Sequence, residues 1–106
     1  MGDQAIRLNY QKAMGQADKL TTIGQDIKNM ADRDYEETID GISTAWKGEN
    51  ADSYLSKAKE LQGRMNATGQ NLIDIADEIR RKARAIYDAE MEALRIAEER
   101  KALIGG

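Results

Sequence analysis

The side chains that most often carry catalysis or hold metals are missing from this chain. It has no histidine and no cysteine, so the common metal sites and nucleophile–base pairs have no candidates. A helical di-iron site needs Glu-x-x-His and is excluded on the same ground. Among the carboxylates, the pairs Glu36-Glu37 and Glu98-Glu99 are sequence neighbours. On a helix they point into different sectors and make no catalytic pair. No glycine-rich phosphate loop is present. The basic run Arg80-Arg81-Lys82 with Arg84 follows Asp74, Asp77 and Glu78. Asp77 stands four residues before Arg81 and Glu78 four before Lys82, the favourable order for helical ion pairs. This reads as a solvated helix face, not a phosphate-binding patch. The expectation is a protein that is no enzyme and has no cofactor, no metal and no nucleic-acid partner.

The elements that would position any remaining function are helices. The 106 residues allow one domain. Helix-favouring residues dominate, and the absence of proline leaves glycine as the only punctuation. The formal net charge of −3 is mild. Without cysteine no disulfide contributes in any compartment. The segment Met1-Gly2-Asp3-Gln4-Ala5-Ile6 lacks the apolar stretch of a secretory signal. Ile6 stands where a myristoylation pattern needs Ser or Thr, and no window is apolar enough for a membrane span.

The second half is the more ordered. Ala51, Ala58, Met65, Leu72, Ile79, Ile86 and Ala93 recur every seven residues. So do Tyr54, Leu61, Thr68, Ile75, Lys82, Ala89, Ile96 and Leu103. These rows behave as the a and d positions of a heptad and predict one helix over about 50–103. Gly63 and Gly69 each weaken it by roughly 1 kcal/mol relative to Ala, but the seam keeps its phase from Met65 to Leu72. In the first half, Ile6, Ala13, Leu20 and Ile27 form one row and Tyr10, Ala17, Gly24 and Ala31 another. Ile23 and Met30 widen the stripe, and Ile39, Ile42 and Trp46 extend it, which predicts a helix over about 4–44. Its glycines either admit a closely approaching helix or are tolerated surface residues.

Trp46-Lys47-Gly48-Glu49-Asn50 separates the two patterns. Gly48 suits the left-handed conformation that ends a helix, and Asn50 suits the cap of the next. A turn over 46–50 makes the helices antiparallel neighbours. The fold class is therefore all-α, an antiparallel two-helix hairpin. Counted from the turn, the second helix outruns the first by roughly ten residues, on the order of 15 Å. Residues from about 93 onward are left without an intramolecular partner. A two-helix hairpin has no closed core and leaves apolar surface uncovered. Pairing into a four-helix-bundle dimer covers it, through a seam that includes Leu20, Ile27, Tyr54, Leu61, Met65, Leu72, Ile79 and Ile86.

Trp46-x-Gly48 with Ala51 and Tyr54 following, midway along a chain of about a hundred residues and between two amphipathic helices, resembles the WXG-type family of type VII secretion proteins. The resemblance implies antiparallel hairpins that pair with another copy or with a second WXG-like protein. It implies export in the folded state, without a cleaved signal, through a membrane-bound secretion ATPase. It also implies that Trp46 and Gly48 form half of a composite recognition surface. The family's other half is a tyrosine followed, four residues on, by Asp or Glu. Here Tyr87 stands at the expected place but Met91 occupies the acid's position; Asp88, Glu90 and Glu92 are near it. Glu90, three residues after Tyr87, shares its helix face and can present the carboxylate. Tyr87 and Glu90 also fit a plain solvated helix end, in which case a heterodimer partner carries the signal. Trp46 equally fits a structural role, covering the bundle end.

The resemblance therefore implies a small secreted substrate or partner protein, folded in the bacterial cytoplasm and released by a leaderless route to the cell surface or beyond. It would act as an effector or as the pairing partner of a larger substrate. The alternatives are a cytoplasmic helical adaptor or chaperone for a larger secreted toxin, and the N-terminal targeting domain of such a toxin.

Overall fold

The computed structural model describes residues 2–46 and 48–105. Lys47, inside the expected turn, lies outside the described residues, as do Met1 and Gly106. Helix α1 spans Gly2–Asn29, a π-helical segment follows over Met30–Tyr35, α2 spans Glu36–Ala45, and α3 spans Glu49–Gly105. The described residues contain no strand. The fold is an all-α helical hairpin, as the heptad rows and the central glycine require.

The first arm contains a feature that the expectation of one helix over about 4–44 did not include. Asn29 and Glu36, which bound the π segment, both keep right-handed helical dihedrals, so the arm remains helical across it. A π turn takes up one extra residue and rotates the part of the helix beyond it. The buried positions register that rotation: Ala17, Gly24 and Ala31 recur every seven residues, but the next buried residue is Ile39, eight further on. An uninterrupted α-helix would have turned Thr38 inward. The π segment admits Ile39 instead, and Ile39 is almost fully buried.

At the turn, Trp46 leaves the helix in an extended conformation, and its backbone N–H still donates to the Ile42 carbonyl at 2.8 Å. Gly48 has a φ of 122°, a region that L side chains rarely enter. Its carbonyl accepts from the Asp52 N–H at 3.0 Å. Gly48 thus caps α3 as well as reversing the chain, and Asn50, expected as the cap, lies within the first helical turn. Glu49 and Asp52 place negative charge at that end of the helix, where the backbone dipole favours it. Helix α3 runs on through Gly63 and Gly69 without a break.

The chain divides into two compact units, one of Leu20–Asp74 and one of Met1–Lys19 with Ile75–Gly106. In the first, the two arms meet at Gly24 and Gly69. A Cβ on Gly24 would stand 2.6 Å from the Gly69 carbonyl oxygen, and a Cβ on Gly69 2.6 Å from that of Gly24. Backbone touches backbone here, so these two glycines are required. Gly15, Gly41 and Gly63 face open space and are merely tolerated. One flank of this unit carries a polar ladder. Lys28 Nζ donates to Gln70 Oε1 at 2.7 Å, Asn66 Nδ2 to Asp32 Oδ1 at 2.8 Å, and Gln62 Nε2 to Glu36 Oε2 at 2.6 Å. Each rung advances four residues on one arm and retreats four on the other, the step of antiparallel helices. Gln62 Nε2 also donates to the Ala31 carbonyl within the π segment at 2.8 Å.

In the second unit the contact is made by alanines: Ala17, Ala76 and Ala83 are buried. Arg80 crosses to Asp18 at 2.8 Å and bonds Asp77 on its own helix at 2.8 Å. Its guanidinium is held protonated more firmly than usual, chiefly by the hydrogen bond to Asp18. Of the two ion pairs expected from spacing, Glu78–Lys82 forms at 3.1 Å. Asp77 turns instead to Arg80, whose side chain is already drawn toward the other helix. A Cβ on Gly2 would meet Leu94 at 3.1 Å. Beyond Leu94, Ile96 is exposed, and Leu103 and Ile104 are 84% and 87% exposed.

Candidate functional site

Two groups of side chains stand out, one in each unit. In Leu20–Asp74, Trp46 is half-exposed and lies on Tyr54, with ring centroids 5.4 Å apart and an interplanar angle of 30°. The extended backbone at Trp46 and the positive φ of Gly48 place the indole back over the first turn and a half of α3. That explains a tryptophan spaced two residues from a glycine and eight from an aromatic. The pair borders an apolar groove of about 400 Å³ lined by Tyr35, Ile42, Trp46, Tyr54, Leu55, Lys57, Ala58 and Leu61. Trp46, Tyr54 and Leu61 are each about half-exposed or more, so this groove is an open apolar surface. The structure brings Trp46, Gly48, Tyr54 and Leu61 together in one region, and Tyr35 and Leu55 are members that the sequence did not single out.

In the other unit, Tyr87 is half-buried and packs against Tyr10 of α1, with centroids 4.9 Å apart and planes at 40°. The Arg84 guanidinium lies 5.4 Å from the Tyr87 ring and 6.0 Å from the Tyr10 ring, within reach of a cation–π attraction. A hydrogen bond to Tyr10 and the charge of Asp88 hold Arg84 protonated more firmly than usual. The rings border an apolar cleft of about 250 Å³ whose lining includes Ile6, Ala13, Ala83, Ile86 and Glu90.

The three acids near Tyr87 differ in what they bond. Asp88 pairs with Arg84 at 3.2 Å. Glu92 pairs with Arg95, which also reaches Glu99, and this hydrogen bond holds the Glu92 carboxyl below its usual range. Glu90 makes no ion pair among the described residues. The reason is visible in the sequence: three and four residues away on either side stand Ile86, Tyr87, Ala93 and Leu94, none of them cationic. Glu90 lines the same cleft as Tyr87. The sequence reading missed Tyr10 and Arg84 as neighbours of Tyr87. A signal for Tyr10 existed, since Tyr10 and Tyr87 stand about equally far from Gly48 and antiparallel helices bring such positions opposite each other.

The remaining seam residues divide by exposure. Leu20, Ile27, Met65, Leu72 and Ile79 are half-buried, whereas Tyr54, Leu61 and Ile86 are exposed, Tyr54 at 62%. The row of α3 that meets α1 most closely is instead Gly69, Ala76 and Ala83, with Gln62 half-buried in the same heptad row. It was overlooked because it is small and partly polar. In Leu20–Asp74, helical phase puts Leu20, Ile23, Ile27 and Met30 with Leu61, Met65 and Leu72 on the flank away from the polar ladder. No group of three or more acidic side chains among the described residues is placed to hold a metal ion.

An all-α hairpin with Trp-x-Gly at its turn defines a class of small helical-hairpin proteins, and comparison with known families makes the assignment specific. Residues 5–91 match the family described as proteins of 100 residues with WXG. The chain belongs to the WXG100 family, small helical proteins associated with type VII secretion that typically form helical dimers. Members are small secreted proteins not known as enzymes. No curated protein and no solved structure matches the chain. No helix among the described residues is long and apolar enough to cross a membrane.

Proposed function

We propose that this chain is a substrate or pairing partner in type VII secretion, acting through its apolar flank as one half of a four-helix dimer. The observation that carries this reading is the asymmetry of Leu20–Asp74. One flank is closed by the ladder Lys28–Gln70, Asp32–Asn66 and Glu36–Gln62. The other presents Ile23, Met30 and Leu61, each about half-exposed. Apolar surface gains about 25 cal/mol for each Å² removed from water, so a second hairpin laid on that flank supplies the missing core. Another copy or a second WXG-like chain serves equally.

In this reading the Trp46–Gly48 turn is one half of the export signal and Tyr87 with Glu90 the other. Glu90 is favoured over its neighbours because Asp88 and Glu92 are engaged by arginines. Folding in the bacterial cytoplasm precedes leaderless export by the secretion ATPase. The test is the mass of the purified chain by light scattering, followed by export of Trp46→Ala. A mass near twice 11.8 kDa identifies a homodimer, and a monomer points to a different chain as partner. Trp46→Ala should retain helicity and dimerisation while its export fails. Its appearance in the supernatant at the wild-type level removes Trp46 from the signal. Retention of the unaltered protein in the cell despite an intact ATPase turns the assignment to a cytoplasmic adaptor or chaperone.

A further inference from the structure

We propose that Tyr10 and Arg84 are positioning residues for export, a clamp that holds the Tyr87 ring in the orientation in which it is recognised. The inference rests on the reading of Tyr87 and Glu90 as part of the signal and adds a component from the other helix. A tyrosine on a helix surface ordinarily samples several rotamers, and a binding partner must immobilise it. Here the work is done in advance. Tyr10 packs against the ring from α1 at 4.9 Å. Arg84, one turn before Tyr87 on α3, lies 5.4 Å from the same ring.

Arg84 is itself held, by the ion pair to Asp88 at 3.2 Å and by its place 6.0 Å from the Tyr10 ring. The clamp therefore consumes the charge of Asp88 and leaves Glu90 as the uncompensated carboxylate beside the ring. An aromatic and a free acid are thus presented together at a cleft of about 250 Å³. The family spacing of tyrosine and acid is altered here by one residue. A presentation fixed by α1 makes up for that change, because the ring is oriented from outside its own helix.

The test measures the ratio of secreted to cell-associated protein in the producing bacterium with its secretion ATPase intact. Tyr87→Ala comes first and should lower export about tenfold or more, the loss of a buried aromatic contact. Wild-type export of that variant refutes the signal reading, and the clamp falls with it. If Tyr87→Ala fails to export, Tyr10→Leu should lower export about fivefold, since the partner must then order the ring itself. Its helicity and dimer mass should be unchanged. Tyr10→Phe, which keeps the ring, should stay within about twofold of wild type.

A Tyr10 that merely filled space would leave the Tyr87 side chain in its rotamer, so the Tyr87 Hα–Hβ couplings, which report χ1 and not the neighbouring ring current, supply the second readout. They should average toward free rotation in Tyr10→Leu and keep their wild-type values in Tyr10→Phe. Wild-type export of Tyr10→Leu beside a blocked Tyr87→Ala overturns the clamp while leaving the signal intact. An equal loss in Tyr10→Phe and Tyr10→Leu also overturns it, since the hydroxyl and not the ring would then matter. If Tyr10→Leu loses helicity, Arg84→Gln decides. Its side chain is mostly exposed, and its removal should lower export about twofold to threefold. Export at the wild-type level counts against the clamp.

Discussion

Leu20–Asp74 and the unit of Met1–Lys19 with Ile75–Gly106 both pair two helices, but they do so with different side chains. In the first, glycine meets glycine and the backbones touch; Gln62, Asn66 and Gln70 then bind across the gap with fixed four-residue steps. In the second, alanines make the contact, a single arginine crosses to Asp18, and two tyrosines occupy the groove. The first arrangement specifies a register, because only one alignment sets Gly24 against Gly69 and completes three rungs. The second is compatible with small adjustments and leaves room for an aromatic pair. Specificity of pairing and presentation of side chains are thus concentrated in different stretches of the same two arms.

The difference is broken most severely at Gly24. Gly24→Val puts a branched side chain where even a Cβ would stand 2.6 Å from the Gly69 oxygen and 2.9 Å from Ile73 Cγ1. The expected loss is about 3 kcal/mol, because the obstacle is backbone and cannot rotate away. Urea unfolding followed by circular dichroism measures it. The matching change in the other unit, Ala76→Gly, should cost only about 1 kcal/mol, mainly helix propensity. Equal losses in the two variants would show that both units pack alike. The next largest effect is at Gln62. Gln62→Ala removes the donor to the Ala31 carbonyl and to Glu36 and should cost about 1–2 kcal/mol. Amide exchange should quicken across 30–36 more than across the rest of the first arm, because the π segment loses its cross-helix anchor.

Much of this organisation could be read from residue spacing. The long second helix followed from rows that never lose phase, and the turn followed from Gly48 flanked by two amphipathic patterns. The π segment also left a trace, for the apolar position after Ala31 is Ile39 and not residue 38; a one-residue slip is the mark of an added residue per turn. What spacing concealed was the identity of the inner face. Leu61, Ile75 and Ile86 are larger and more apolar than Gly69, Ala76 and Ala83, so hydrophobicity singles out side chains that stay about half-exposed. Closely approaching helices bury their smallest residues, and the large ones are displaced to the flanks. At the candidate site, Trp46, Gly48, Tyr87 and Glu90 could be named from motif and face. Tyr10 was passed over because each tyrosine is an ordinary member of its own helix; only their nearly equal distances from Gly48 mark them as neighbours across the hairpin.

Smaller effects sharpen the same comparison. Gly15 and Gly63 lie in different units, and a Cβ on either meets nothing within 4 Å. Gly15→Ala and Gly63→Ala should each stabilise the protein by up to about 1 kcal/mol, the propensity gain of an exposed helical position. A loss at either site would mean that a partner helix approaches it in the dimer, where the isolated chain shows open space. The smallest effect is expected at the cross-helix ion pair. Asp18 is 71% exposed on its side chain whereas Arg80 is 26% exposed. Solvent screens the carboxylate, and Arg80 retains Asp77 when Asp18 is neutralised. Asp18→Asn should therefore cost no more than about 0.5 kcal/mol, and raising the salt concentration should narrow the gap from wild type. A loss as large as that of Gln62→Ala would give the alanine unit a polar register device of its own and remove the distinction between the two units.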